Sequence, residues 1–296
     1  MKPFRLAAAQ YPVSEPGSWD EAAAMLTRWV REAASHNAEL LVFPEYAAMS
    51  LAAIFAPGVR ADLRQQLHAL QSLRDDYVDL HSRLAAELGV HILAGSFPWQ
   101  LGPELFHNRA WFVDPEGHSD FQDKRIMTRF EREQWGIAGG EQVPLRVFDT
   151  ALGVIGVNVC YDVEFPLLAR RQTEAGARLI LAPSCTDTLA GYHRVRVGAQ
   201  ARALENQCIV VQSPLVGEAP WSAAIDVNVG AAGVYAPPDR GFPDDGVVAQ
   251  GRLNEPGWVY ADIDLNAVDT VRRSGQVFND RDWAEQGGSV CPDSKR

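Results

Sequence analysis

Short unbroken apolar runs recur along this chain, each handing over to a segment with helix punctuation, and that alternation restricts the folds open to it. ELLVF (39–43), VHILAGS (90–96), the β-branched GVIGVNVC (153–160), ARLILAP (177–183) and QCIVVQS (207–213) read as buried strands. Phe4 to Gln10 reads as a further strand at the start. Between them lie helices with recognisable ends. Ser18 and Glu21 form an S-x-x-E capping box that opens a helix running to about His36. A long amphipathic stretch from Ala61 to Leu88 stops at Gly89. Pro166 suits the first position of a helix to about Ala175, closed by Gly176, and Gly191 to Asn206 reads as another. NRAWFVD and HSDFQDK flank Pro115-Glu116-Gly117 as a hairpin, and the late runs VYAPPDRGFPDDG and LNEPGWVYADIDL are turn-rich and then strand-like. The expectation is an α/β protein with more than one sheet. No composition shift or Ser/Gly linker divides the chain, so residues 1–296 are expected to form one domain.

Charge and cysteine usage narrow the function classes. Apolar residues make up 47% and charged residues 22%, an ordinary globular profile with material for a sizeable core. Lys and Arg total 27 against 38 Asp and Glu, a formal net charge of −11 that argues against nucleic acid and anionic membrane surfaces as partners. MKPFRLAAAQ lacks the apolar run of a signal peptide, and no window approaches a membrane span. Cys160, Cys185, Cys208 and Cys291 are scattered without CxxC pairing, which reads as reduced thiols in a cytoplasmic protein. The seven histidines show no metal-ligand spacing, and Gly136 and Gly139 do not form a nucleotide fingerprint. Neither cofactor nor metal is expected.

Three reactive side chains stand beside strand ends or turns: Glu45 in LVFPEY, Lys124 in FQDKR, and Cys160 in VIGVNVCYD. Each has an ordinary reading alone: a small buried hydrophobe for the cysteine, a solvated charge for the other two. As a set they supply a thiol nucleophile, a base to take its proton and a cation for the oxyanion that follows. Cys160 ends its strand before a tight turn and a proline-started helix, where backbone N–H groups lower a thiol pKa and offer an oxyanion site.

FPEY, DKRIMTRFER and NVCYDVEFP, in that order, resemble the three signature segments of the nitrilase superfamily, the carbon–nitrogen hydrolases. AAAQ and GVYAPPDRGFPDDG extend the resemblance over nearly the whole chain. It implies a four-layer αββα sandwich that dimerises through stacked layers into a homodimer or higher homo-oligomer. It also implies Glu45 as general base, Lys124 as oxyanion stabiliser, Cys160 as nucleophile and the Tyr161 N–H as second oxyanion donor. Glu131 holds the place of the family's further glutamate, with Glu133 the weaker candidate.

The implied reaction is hydrolysis of a non-peptide amide or carbamoyl C–N bond in a small molecule through a thioester, releasing ammonia or an amine. Cys160-Tyr161-Asp162 is similar to amidase-like branches, whereas nitrile-cleaving members more often read Cys-Trp-Glu. Glu164 departs from branches with an arginine or bulky residue there, which argues against an α-ketoacid amide. It suits a neutral or amine-bearing substrate, or is a solvated turn glutamate. Cys185 and Thr186, after strand 177–183, are candidates to line the pocket. Trp135 walls the pocket or packs in the core, and His193 and Arg194 face the cleft or an interface. A nitrilase, a catalytically silent binding module and an acyltransferase to another acceptor remain as alternatives.

Overall fold

A computed structural model describes residues 2–140 and 142–287. Cys291 lies outside the described residues. In chain order the elements are β1 (Phe4–Pro12), α1 (Trp19–Ser35), β2 (Ala38–Val42), α2 (Pro57–Arg60), α3 (Leu63–Leu70), α4 (Arg74–Leu88), β3 (His91–Gly102), β4 (Leu105–Val113) and β5 (Ser119–Asp123). Then come β6 (Ile137–Ala138), β7 (Val147–Thr150), β8 (Gly153–Val157), α5 (Pro166–Glu174), β9 (Leu179–Ser184), α6 (Leu189–Asn206) and β10 (Ile209–Glu218). The last are β11 (Val227–Asn228), β12 (Gly233–Tyr235), β13 (Val247–Gln250), β14 (Gly257–Ile263) and α7 (Leu265–Ser274).

The strands form two ladders, β5-β4-β3-β2-β1-β14 and β7-β8-β9-β10-β12-β13. They join where the end of β1 pairs with β10 at Tyr11↔Leu215 and Pro12↔Val216. In the first ladder Leu6 and Ala8 of β1, Leu40 and Val42 of β2 and Leu93 of β3 pack with Ile155, Leu179 and Val211 of the second. Their alternates Ala7, Ala9, Leu41 and Ile92 face Leu26 and Val30 of α1 and Leu80 and Leu84 of α4. On the far side Val195, Ala199 and Ala203 of α6 complete the packing. This is a four-layer αββα sandwich, and period-two alternation on strands buried on both faces explains why the runs look uniformly apolar.

The stretch 61–88 is not one helix. Asp62 caps α3 by accepting the Gln65 N–H (3.1 Å), and the chain bends at a 3₁₀ turn over residues 71–73 before α4 begins. Gln71 holds the bend to β3, donating to the Leu67 and Pro98 carbonyls (both 2.7 Å) and accepting the Gln100 N–H (3.0 Å). Strand 90–96 runs on to Gly102 because it forms a hairpin with β4. Helix α6 starts two residues earlier than Gly191 because Thr188 caps it. At the end of the strand-like run LNEPGWVYADIDL, Asp264 caps a further helix, α7.

A close approach aims the sandwich's functional end. Gly95 of β3 has φ +74°, and a Cβ there would collide with the Pro44 carbonyl. The same contact lets Ser96 donate its N–H to the Pro44 carbonyl (3.2 Å) and accept the Tyr46 N–H on Oγ (2.8 Å), docking the segment that carries Glu45. Gly95→Ala should therefore lower stability by about 1–3 kcal/mol, measurable by urea unfolding, and lower activity with it. A variant of unchanged stability would contradict this view of the Pro44–Tyr46 turn.

Candidate active site

Glu45, Lys124, Glu131 and Cys160 line one cavity of about 590 Å³, together with Tyr161, Trp135, Glu164, Cys185 and Thr186. These nine residues, singled out in the sequence, are thus at one place. They arrive by different routes. Glu45 follows β2 and precedes Tyr46, which is left-handed at φ +56°. Lys124 follows β5 and is aligned by its N–H to the Asn108 carbonyl (2.8 Å). Cys160 opens a 3₁₀ turn, Cys160–Glu164, beyond β8, at φ +50°. A left-handed non-glycine residue costs about 1–3 kcal/mol, so the surrounding packing must hold it there.

The floor of the cavity is an ion triad that water hardly reaches, each side chain being 1–2% exposed. The Lys124 ammonium donates to Oε1 of Glu45 (2.8 Å) and to Oε2 of Glu131 (2.6 Å). The two carboxylates differ in their other partners. Glu131 accepts the Tyr46 hydroxyl (2.8 Å) and, on the other oxygen, the Thr128 N–H (2.9 Å) and hydroxyl (2.8 Å). Glu45 accepts the Cys185 N–H on Oε2 (3.0 Å). Asn108 Nδ2 donates to both, at 2.8 Å to Glu45 and 3.1 Å to Glu131.

Charge follows that inequality. Burial raises the pKa of any carboxylate, but at Glu131 the Lys124 charge and the surrounding donors overcome it and hold the group below its ordinary value. At Glu45 burial wins, aided by the Glu131 charge and opposed by Lys124, so its pKa is raised. Burial would push Lys124 down, yet Glu131 and Glu45 keep it well above its ordinary value and charged. Burial pushes the Cys160 thiol well up, and the Glu45 charge adds to that against Lys124. At rest the pair is therefore a thiol beside a carboxylate that takes up protons readily. The arrangement suits proton transfer from sulfur to Glu45.

Asp162 couples the cysteine turn to the lysine loop, its two oxygens accepting the Arg125 (3.0 Å) and Ile126 (2.8 Å) N–H groups. Burial lifts it to about 7 against those two donors. Cys185 touches the machinery through its backbone: its N–H holds Glu45 and its carbonyl accepts the Cys160 thiol (3.7 Å), while its own thiol donates to Asn228 Oδ1 (3.1 Å). Thr186 donates its hydroxyl to the Val229 carbonyl (2.8 Å). Trp135 stands edge-on to Tyr46 at 5.9 Å and walls the cavity. Glu133 instead pairs with Arg129 at the exposed surface, and Arg194 lines the cavity whereas His193 does not.

Tyr46, Asn108 and Thr128 were missed as site residues. Thr128 carried a legible signal, since T-R-F-E is a capping box: Glu131 returns its N–H to Thr128 Oγ1 (3.4 Å) while its carboxylate takes the Thr128 N–H.

The carbon-nitrogen hydrolase family model matches residues 5–273. The chain belongs to that family. It is 35% identical over 280 residues to the probable hydrolase YhcX of Bacillus subtilis, covering 93% of this chain and 52% of that one. The chain thus spans about half the length of that relative. It is 27% identical over 237 residues to a deaminated glutathione amidase of Synechocystis, covering 73% of this chain and 79% of the relative. The carbon–nitrogen hydrolase of Helicobacter pylori G27 superposes with a TM-score of 0.75 over 92% of both chains at 18% identity, which speaks to the fold. The nitrilase-type sandwich expected from the signature segments is therefore the fold of this member of the carbon–nitrogen hydrolase family.

Asn108→Ala removes a donor from both carboxylates, so the ionised form of Glu45 loses support and its pKa should rise further. The expected result is a tenfold to hundredfold drop in kcat/KM, from the loss of charge-assisted hydrogen bonds of about 1.5–3 kcal/mol, with the acidic limb of the pH profile moved upward. A variant that loses activity with an unmoved limb would mean that Asn108 only fills space.

Proposed function

We propose that this carbon–nitrogen hydrolase cleaves an amide or carbamoyl C–N bond of a small molecule through a thioester on Cys160. The observation that carries the reading is the unequal pair of carboxylates on Lys124 in the cavity that also holds Cys160. Glu131 remains an anion and keeps Lys124 charged, which leaves Glu45 as the group that exchanges protons.

The steps balance with one base. Glu45 takes the thiol proton as sulfur bonds to the carbonyl carbon, and the oxygen gathers negative charge beside Lys124. The Tyr161 N–H is the second donor, because a residue at the start of a helical turn has no carbonyl partner within the turn. The C–N bond breaks as Glu45 returns the proton to nitrogen, releasing ammonia or an amine. Water then gives a proton to Glu45 and bonds to the acyl carbon. The C–S bond breaks, the sulfur recovers its proton and the carboxylic acid leaves. Every step is served by groups already within the cavity.

An amide is favoured over a nitrile by the Cys160-Tyr161-Asp162 sequence and by the amidase among the relatives. A small molecule fits the cavity volume. No helix among the described residues is long and apolar enough to cross a membrane. Cys160, Cys185 and Cys208 are free thiols, which suits a reducing cytoplasm. A homodimer is the assembly this reading expects: α5 exposes Leu167 and α6 exposes Leu189, Val197 and Leu204, apolar surface that a second copy would cover.

The test is ammonia or amine release from a panel of small amides, carbamoyl amines and nitriles. Amide turnover that falls by about 10³-fold or more in Cys160→Ala supports the reading. Turnover confined to nitriles, or none in protein whose Cys160 resists alkylation, would overturn it in favour of a nitrilase or a silent binding protein. For the assembly, light scattering should report a dimer, and Val197→Glu with Leu204→Glu should shift it to monomer. A monomeric wild type would contradict the interface.

A further inference from the structure

The cavity wall beyond the ion triad is unevenly charged. Besides Glu45 and Glu131 it carries Glu164, Asp187 and Asp226, against Lys124, Arg129 and Arg194. Lys124 is spent between the two buried carboxylates. Arg129 is paired with Glu133 at 2.8 Å, its side chain 79% exposed. That leaves Arg194, which is 62% exposed and reaches only to 3.8 Å from Glu164, too long for a hydrogen bond. Neither Asp187 nor Asp226 has an ion-pair partner among the described residues.

Glu164 differs from a loose rim acid in how it is held. It sits on the same turn as Cys160, Cys160–Glu164. Helix α6 presses on that turn at Gly198, where a Cβ would come within 3.3 Å of the Glu164 Cα and 3.1 Å of the Val163 carbonyl oxygen. Buried Arg202 donates to the same carbonyl (3.0 Å). The backbone that carries Glu164 is thus fixed in register with the nucleophile, while its charge is met by Arg194 at 3.8 Å and, to a lesser degree, by Lys124, which the two buried carboxylates already share. Burial raises its pKa against the opposing Arg194 charge, as expected for an anion short of counter-charge.

We propose that the substrate of this cavity carries a protonated amine in its acyl part, and that Glu164 is the specificity residue that binds it. The proposal rests on the amide-hydrolase reading above. An ammonium displaces Arg194 from Glu164 and enters a wall with two further acids, Asp187 and Asp226, which are exposed and lack an ion-pair partner among the described residues. A carboxylate tail would instead compete with Glu164 for Arg194 and be repelled by those same acids. Tyr161, beside Cys160 and edge-on to Phe165 at 4.8 Å, offers an aromatic surface to the same tail.

Three amides of matched length test this: 5-aminopentanamide, hexanamide and adipamic acid, which end in an ammonium, a methyl and a carboxylate. The expected order of kcat/KM is cationic above neutral by about tenfold and neutral above anionic, with Glu164→Gln cutting the cationic-to-neutral ratio at least fivefold, mainly through KM. A second measurement is independent of turnover. The rates at which aminoethyl and sulfonatoethyl methanethiosulfonate modify Cys160, followed by peptide mass mapping and normalised to free cysteine, should favour the cationic reagent, and less so in Glu164→Gln. If no amide is turned over but the reagent preference holds, the hydrolase reading fails and the charge selectivity stands. Preference for adipamic acid, or reagent and substrate ratios that Glu164→Gln leaves unchanged, would overturn the proposal.

Discussion

One lysine ammonium shared by two buried carboxylates is the interaction on which the site depends. Glu45, Lys124 and Glu131 are nearly fully buried, and charges removed from water must be paired and hydrogen-bonded to persist. One ammonium cannot neutralise two carboxylates, so negative charge is held where donors are more numerous and a proton is taken up where they are fewer. Glu131 has Tyr46, Thr128 and a share of Asn108; Glu45 has the Cys185 N–H and the rest of Asn108. That difference lowers the pKa of one of two chemically identical groups and raises that of the other, and the proposed mechanism uses them as standing anion and proton acceptor.

The fold supplies the donors because it brings two sheets to one edge. Glu45 and Lys124 leave β2 and β5 of one ladder, while Cys160 and Cys185 leave β8 and β9 of the other. Asp162 then ties the two together, its carboxylate on the cysteine turn holding the N–H groups that follow Lys124. The left-handed residues Tyr46 and Cys160 stand where each chain turns out of its sheet. Backbone strain is tolerated there because both turns are gripped from several sides: Gly95 and Ser96 press on one, α6 on the other.

The layers were legible because buried parallel strands are short, apolar and bounded by caps that write themselves in sequence, as Ser18–Glu21 and Gly89 do. The three reactive residues were legible from the segments around them. What escaped were groups whose role exists only through distant neighbours. Asn108 meets Glu45 across 63 residues and Tyr46 meets Glu131 across 85, and nothing local marks either. The bend after Leu70 escaped for the same reason: Gln71 suits a helix, and only the carbonyl of Pro98 makes it a tether. The charge imbalance at the mouth was half legible, since Glu164 stood out but the acids around it required the cavity.

The division of labour between the two glutamates is most directly tested by the pH profile of kcat/KM for Glu131→Gln, on protein shown to be folded. Removing the Glu131 charge leaves Lys124 to Glu45 alone, and the repulsion that adds to burial in raising the Glu45 pKa is gone. The account predicts an acidic limb displaced to lower pH with a diminished plateau, because a more strongly paired Glu45 is a weaker base. A limb that stays in place or moves to higher pH would contradict the claim that Glu131 sets the charge balance from which Glu45 draws its basicity.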